Sequence, residues 1–551
     1  MLEGMNAIKT RNDLLAELRT ETFDVLIIGA GITGAGIAWD AALRGLKTAI
    51  IDKNDFGYGT SSGSSKLVHA GIRYLAYGEF RLVRNASRER QLLFQLCPHQ
   101  TRPLPFLIPI FKKGKNTFLK MFFATTMYDI LAGFKNYQNK KFISREKTIE
   151  LIPNIRKEGL KRGVIYWDGF MDDARVTLET ILSAKDAGAI TANYVEAISF
   201  LQTDEDKKKD RVSGAIVRDN LSDETFDIKA KVVINATGPW TDQTIRLLNQ
   251  PSRILRTTKG IHVITKRVIE EDIVLVITAD DERGMFIIPF REEYSLIGTT
   301  DTDYKENFDH VDVTEEDINY VVSAVNNDMP GMLSKKDIIS AYSGIRPLII
   351  SPNAKSETDT SRNFDIFETR TNLFTITGGK YTLFRYMAEK MIDRVLAFLG
   401  LDKKDYPCQT KKHKLHGAKG INDMDEYLKK HVPKIIEEFK LDKDSAEHIV
   451  HTYGSNHDKI LEIIKQKPTF AKRIAKGRPY ITGEIQYIVE NELAYTLNDF
   501  MFRRTQLQLL DHQGLDCAEQ IAQIMAKYLE WDKTEIKQQF SDYKKNLVWK
   551  P

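Results

Sequence analysis

Val25-Leu26-Ile27-Ile28-Gly29-Ala30-Gly31-Ile32-Thr33-Gly34 is an apolar run that opens directly into a glycine-rich turn. The four unbroken apolar residues mark a strand, spanning 23–28, that is covered on both faces. Residues 32–44 carry Ala and Ile at helical spacing and stop at Gly45, after which 47–51 reads as a second buried strand. The unit is βαβ, with G-x-G-x-x-G at the mouth of its helix, the context that separates a dinucleotide fingerprint from a chance match. The first glycine permits the tight turn, the second lets backbone approach a pyrophosphate, and the third lets helix and strand pack closely. The helix N-terminus adds partial positive charge. Asp52, followed by Lys53, ends the second strand, where a carboxylate accepts hydrogen bonds from ribose hydroxyls. Gly29, Ala30, Gly31, Ile32, Thr33, Gly34, Asp52 and Lys53 are therefore the first candidate cofactor residues.

The fingerprint alone does not choose between nicotinamide and flavin. Gly59-Thr60-Ser61-Ser62-Gly63-Ser64-Ser65-Lys66 supplies small side chains and hydroxyl donors soon after the ribose strand, suited to a pyrophosphate and an extended ribityl chain. Asn235-Ala236-Thr237-Gly238-Pro239-Trp240 follows the apolar run 232–234 and allows close backbone approach to a second part of the cofactor.

Composition bounds the rest. A chain of 551 residues needs one large α/β unit and at least one smaller domain. Lys+Arg 80 against Asp+Glu 76 leaves a surplus too small for a nucleic-acid footprint, so no nucleic-acid partner is expected. Cys97, Cys408 and Cys517 are odd in number and widely spaced, which gives neither a disulfide framework nor a metal site. The first twenty residues mix charges among short apolar stretches, so no export signal is read, and no apolar run is long enough to span a membrane.

Short helical patterns fall at 12–19 and 82–96, followed by a proline-rich interval at 98–109. Next, Lys112, Lys113, Lys115, Lys120, Lys135, Lys140 and Lys141 surround Phe118, Met121, Phe122, Phe123, Met127 and Leu131. This reads either as a helical pair packed on the core or as a membrane-surface element. Strand-like stretches at 212–217, 232–235, 261–264, 274–277, 285–288 and 294–297 suggest an inserted antiparallel-rich sheet. Residues 402–420 read as a linker, and helical patterns at 424–439, 446–453, 483–491 and 518–528 fill the C-terminal part.

Ile28-Gly29-Ala30-Gly31-Ile32-Thr33-Gly34-Ala35-Gly36-Ile37-Ala38-Trp39-Asp40 closely resembles the first signature of the FAD-dependent, respiratory glycerol-3-phosphate dehydrogenases. Thr60-Ser61-Ser62-Gly63-Ser64-Ser65-Lys66-Leu67-Val68-His69-Ala70-Gly71-Ile72-Arg73-Tyr74-Leu75 is similar to the segment that follows it there. Gly378-Gly379-Lys380-Tyr381-Thr382-Leu383-Phe384-Arg385 resembles the second signature, with Leu383-Phe384 where a hydroxyl residue and Tyr are usual. The likeness continues through 167–175, 259–262, Gly298-Thr299-Thr300-Asp301, Tyr342-Ser343-Gly344-Ile345-Arg346-Pro347, Asp499-Phe500 and Arg503-Arg504-Thr505.

The resemblance implies a glutathione-reductase-like, Rossmann-type α/β FAD-binding domain with an inserted antiparallel-sheet substrate cap and a C-terminal all-helical domain. The expected division is an FAD-binding domain in pieces (about 20–110, 160–240 and 340–400) with its cap (about 110–160 and 240–340), a linker at 401–420, and helices over 421–551. It further implies oxidation of sn-glycerol 3-phosphate to dihydroxyacetone phosphate by hydride transfer to flavin N5. Electrons would pass to a membrane quinone from a cytoplasmic homodimer held peripherally on the inner face of the cell membrane. Added cofactor positions are Thr60, Ser61, Ser62, Ser65, Lys66, Leu67, His69, Ala236, Thr237, Gly238, Trp240, Arg346, Gly379, Lys380 and Thr382. By family correspondence Arg73, Arg346 and Arg362, with Tyr74 and Lys380, clamp the substrate phosphate. His69 and His262 suit a base near neutrality, Arg346 steadies the forming alkoxide, and either Thr299 or Thr300 hydrogen-bonds substrate.

Rival readings are a glycerophosphate oxidase, which passes electrons to oxygen, an amino-acid-oxidase-like flavoenzyme with a carboxylate clamp, and a non-enzymatic flavin-binding scaffold. An oxidase is expected to carry an extra segment before the Gly-Gly-Lys motif; only residues 348–377 separate it from Arg346-Pro347, which favours a dehydrogenase.

Overall fold

The computed structural model describes residues 10–112, 116–281, 283–350 and 363–549. Thr22–Ile28 lies between Thr48–Ile51 and Thr225–Asn235, parallel to both, and Ile190–Ala192 and Leu373–Gly378 extend the parallel layer on either side. Val25, Leu26 and Ile27 are fully buried, as a run without polar alternation requires. Helix Ile32–Leu43 packs between Asp173–Asp186 and Phe384–Phe398. Ile28 pairs with both Ile51 and Asn235, so Gly29, Asp52 and Ala236 emerge side by side at the carboxyl edge. That edge is where ligands bind in open α/β sheets.

Two stretches assigned from sequence to the inserted sheet belong to this one instead. Gly214–Asp219 pairs antiparallel with Val195–Leu201 and with Thr225–Asn235, which is itself a neighbour of the first strand. Alternation in a sequence reports burial and says nothing about which sheet supplies the partner.

The second sheet runs in the order Thr302–Asp303, Leu255–Lys266, Tyr294–Gly298, Gly284–Phe290, Val274–Thr278, Thr101–Phe111, Leu160–Met171, Lys141–Ser144, with Ile338–Ile349 also paired to Leu255–Lys266. It is antiparallel except where Val274–Thr278 meets Thr101–Phe111. Residues 101–111, 160–171 and 338–349 thus join the cap sheet, beyond the boundaries drawn from sequence. The proline-rich interval is a strand because Pro103, Pro105 and Pro109 share one parity. Their missing N–H groups all fall on one side, and Leu160–Met171 pairs with the other along its length. Helix Glu315–Asp328 buries Ile318, Val321 and Val325 against the sheet.

Helices Met424–Phe439, Lys443–Tyr453, Thr482–Glu492 and Leu515–Leu529 stand where the periodicity placed them. Residues 402–423 form neither helix nor strand, yet Thr410, Leu415, Ala418 and Ile421 are buried. Leu415 N–H donates to Leu96 O at 2.9 Å and His416 N–H to Ser183 Oγ at 2.8 Å. The expected linker is a packed strap that ties the helical domain to the cofactor domain.

Candidate active site

The carboxyl edge of the parallel sheet opens into a cavity of about 440 Å³ bordered by Asp52 and Lys53, by the glycine turn, and by His69, His262, Arg346 and Lys380. Gly29 has φ +103°, and a Cβ there would stand 2.7 Å from the Ala236 carbonyl oxygen; one on Gly34 would overlap the carbonyl of Gly29. Side chains at either position would push helix and turn off the strand. The helix begins at Gly31 with no side-chain cap and no carboxylate in its first turn, which leaves its positive end uncompensated for an anion. Ser61 Oγ accepts from Ile32 N–H at 2.9 Å. Asp52 accepts from Ala30 N–H at 2.6 Å and Asn54 N–H at 3.0 Å. Burial pushes its carboxyl up to about 6, while the Asn54 and Ala30 N–H groups pull the other way. Trp240 borders the same cavity with its Nε1–H buried and without an acceptor among the described residues. A molecule carrying ribose, pyrophosphate and carbonyl acceptors fits this set of groups, as FAD does.

The other end is built on two paired strands. Thr258 faces Arg346, Gly260 faces Gly344, and His262 faces Tyr342 across Leu255–Lys266 and Ile338–Ile349. With period-two alternation these six share one face, and the two central glycines leave a trough between Arg346 and His262. Gly344 receives the backbone of Gly63, and Gly260 receives the Arg346 guanidinium. Arg346 Nη1 donates to Asp301 Oδ1 at 3.1 Å and Nη2 to Thr299 Oγ1 at 3.0 Å. His262 Nε2 lies 2.8 Å from Ser65 Oγ, its ring stacks 4.9 Å from that of Tyr342, and its Nδ1 is buried without a partner among the described residues. Burial, then the charges of Arg346 and Lys66, holds this imidazole well below its ordinary pKa, so it is neutral. Across the cavity, Lys380 Nζ sits 3.3 Å from the centre of the Tyr74 ring. A Cβ on Gly71, where φ is +79°, would stand 2.8 Å from that Nζ. Thr382 Oγ1 donates to the His69 carbonyl at 3.1 Å.

Most of the positions singled out in the sequence border this cavity: Gly29, Gly31, Ile32, Thr33, Asp52, Lys53, Thr60, Ser61, Ser65, Leu67, His69, Tyr74, Ala236, Thr237, Gly238, Trp240, His262, Arg346, Gly379, Lys380 and Thr382. Ala30 and Gly34 are buried behind its wall. Ser62 and Lys66 instead line a neighbouring cavity of about 150 Å³, Lys66 being buried and paired with Asp173 at 2.5 Å. Arg73, expected on the substrate phosphate, is exposed on the 3-10 helix Ile72–Tyr77 and does not border the cavity, whereas its neighbour Tyr74 does. Of the two threonines, Thr299 holds Arg346, whereas Thr300 Oγ1 accepts from Ile261 N–H at 3.0 Å and is buried. Arg362, Lys113 and Lys115 lie outside the described residues. Sequence reasoning missed Asp173, which anchors both Lys66 and Ser64, and gave no task to Asp301 or Gly260. Elsewhere, Cys97, His99 and Glu179 are close enough to hold a metal ion, but the Gln100 amide and Arg175 already engage Glu179, at 3.2 Å and 3.6 Å.

A Rossmann-type cofactor sheet faced by an antiparallel cap, with the cavity between them, defines an FAD-dependent oxidoreductase. Residues 24–392 match the family model for FAD dependent oxidoreductases, and residues 408–536 match that for the C-terminal domain of alpha-glycerophosphate oxidase. The chain is 36% identical over 543 residues to the aerobic glycerol-3-phosphate dehydrogenase of Staphylococcus aureus strain MRSA252, covering 96% of this chain and 94% of that one. It is 35% identical over 547 residues to the mitochondrial glycerol-3-phosphate dehydrogenase of Mesocricetus auratus, covering 96% and 73%. The solved glycerol-3-phosphate dehydrogenase of Bacillus halodurans complexed with FAD superposes with a TM-score of 0.79 at 31% identity over 98% of this chain and 97% of that one. The chain belongs to the FAD-dependent glycerol-3-phosphate dehydrogenase family.

Proposed function

We propose that the protein oxidises sn-glycerol 3-phosphate to dihydroxyacetone phosphate with FAD as its cofactor and passes the electrons to a membrane quinone. One observation carries the substrate: two cations, Arg346 and Lys380, and two imidazoles, His69 and His262, line the same cavity. A phosphate dianion needs charge-assisted donors, and Arg346 brings a planar fork while Lys380 brings a compact charge. Asp301 and Thr299 fix the fork, and the Tyr74 ring face fixes the ammonium. His262 is neutral and borders the cavity, so its imidazole has a lone pair with which to take the C2 hydroxyl proton. The Arg346 charge that depresses the His262 pKa also favours negative charge growing on the C2 oxygen. Bound FAD supplies the acceptor for the hydride from C2, so the C2–H and O–H bonds break as the ketone forms.

The acceptor assignment rests on a second feature. Among the described residues no helix is long and apolar enough to cross a membrane. Helix Phe118–Leu131 and the turn after it nevertheless expose Phe118, Leu119, Phe122, Phe123, Met127, Ile130, Phe134 and Tyr137 to solvent. Exposed Lys112, Lys120, Lys135 and Lys141 flank them. So much apolar surface, rimmed by cations, suits a lipid surface with anionic headgroups, here the inner face of the cell membrane. A homodimer, as family likeness suggests, completes the proposal.

Steady-state turnover tests it: a short-chain quinone should support dihydroxyacetone phosphate formation without peroxide. Peroxide released mole for mole with product would replace the quinone by oxygen, and turnover of glycine or sarcosine in place of the phosphate ester would remove the substrate assignment.

A further inference from the structure

Asp55 stands three residues after the ribose carboxylate, is fully buried, and takes no part in the cavity wall. Four donors converge on it: Arg503 Nε at 2.6 Å, Arg504 Nη1 at 2.7 Å, Arg504 Nη2 at 2.9 Å and Asn193 Nδ2 at 2.9 Å. The two arginines come from Asp499–Arg504, a π-helical turn of the C-terminal domain, a form that recurs where function rather than regular packing sets the backbone. Arg503 Nη2 also donates to Asp499 Oδ1 at 2.8 Å, and Arg504 Nη2 to Glu492 O at 2.7 Å. Asp55 and Asp499 thus face two guanidinium groups, and Arg504 also meets the buried Glu492 carboxylate at 3.8 Å, which Arg175 shares at 2.8 Å.

The same stretch of chain reaches the far end of the cofactor loop. Gln506 Nε2 donates to Asp172 Oδ1 at 2.6 Å, and the adjacent Asp173 accepts from Ser64 Oγ at 2.7 Å and Lys66 Nζ at 2.5 Å. Between these anchors the loop is Gly57-Tyr58-Gly59-Thr60-Ser61-Ser62-Gly63, tied to the glycine turn by Gly57 N–H donating to Ala30 O at 3.0 Å. Three glycines give it little intrinsic stiffness, so its shape must be imposed from outside.

We infer that residues 499–506 of the C-terminal domain position the cofactor loop 52–66, with Asp55, Arg503 and Arg504 as positioning residues that set how tightly FAD is held. A buried carboxylate left without its cations is strongly unfavourable, so the loop's cofactor-ready shape and the docking of the helical domain stabilise one another. Ordering the loop before FAD arrives lowers the entropy lost on binding, which raises affinity without a new contact to the cofactor.

The inference rests on the FAD reading, and the test separates the two. Wild-type holoenzyme and the variants Asp55→Asn, Arg504→Lys and Gln506→Leu are diluted and the release of FAD is followed by its fluorescence, alongside KM for sn-glycerol 3-phosphate with FAD in excess. The expected result is FAD release about tenfold faster or more in Asp55→Asn, with Arg504→Lys and Gln506→Leu between it and the wild type. Excess FAD should restore kcat, with KM for the substrate unmoved. Should Asp55→Asn fail to fold, the other two variants carry the comparison. Release at the wild-type rate from all folded variants, or a loss of kcat that FAD does not restore, overturns the proposal. A wild-type protein that binds no FAD overturns the cofactor reading and this proposal with it.

Discussion

Gly260→Ala is a sharp test of the substrate end, because it adds one methyl group and removes no charge. A Cβ at Gly260 would stand 2.5 Å from Thr299 Oγ1 and 2.7 Å from Arg346 Nη1, whereas ordinary contact begins at 3.4 Å. The guanidinium and the threonine must therefore retreat by nearly 1 Å, about the misplacement that costs on the order of 100-fold in rate when it disturbs an oriented site. Since Arg346 is held by Asp301 and Thr299, it cannot retreat without giving up part of that clamp. Steady-state kinetics with a soluble quinone should show kcat/KM lowered about 100-fold with FAD content unchanged. The defect should also be much smaller on an Arg346→Lys background, because the two changes act on the same group. Wild-type kcat/KM in Gly260→Ala, or full additivity with Arg346→Lys, would refute the placement of Arg346 on the substrate.

His262→Asn should lower kcat about 100-fold or more while leaving FAD in place, and a pH–rate profile should then lose its dependence on a general base. FAD affinity should weaken in acid: burial pushes the Asp52 carboxyl up to about 6, ribose hydroxyls favour its charged form, and the carboxylate is lost as pH falls through that value. Binding should be about tenfold weaker at about pH 5 than at about pH 7.5, and Asp52→Asn should flatten that dependence; a slope that survives in the variant would assign it elsewhere. Replacing Leu119 and Phe123 together by Asp should abolish co-sedimentation with anionic vesicles while turnover with a soluble quinone persists, and unchanged vesicle binding would move the membrane contact away from this helix.

Local patterns exposed the cofactor end of the site and left most of the substrate end hidden. The run from Val25 to Gly34 carries its own explanation: apolar continuity, a turn only glycine can make, and a helix that starts at once. Arg346 and His262 lie on strands whose alternation shows burial but not the register that sets Gly260 beside Gly344 between them. Neighbouring arginines and threonines look alike in sequence; only the fold shows that Thr299 holds Arg346, that Thr300 serves the backbone, and that Arg73 lies exposed off the cavity. Asp55 resembles an ordinary turn residue until Arg503 and Arg504, some 450 positions away, close on it. Contacts of that range leave no periodic trace, which is why the C-terminal domain was legible as helices and not as a partner of the cofactor loop.

The most direct test of the central claim is to mix the FAD-loaded protein with sn-glycerol 3-phosphate in the absence of oxygen and record the flavin absorbance. Rapid and complete bleaching by this substrate, with none by glycerol lacking its phosphate, is the result the account predicts. A flavin spectrum unchanged by sn-glycerol 3-phosphate would contradict it.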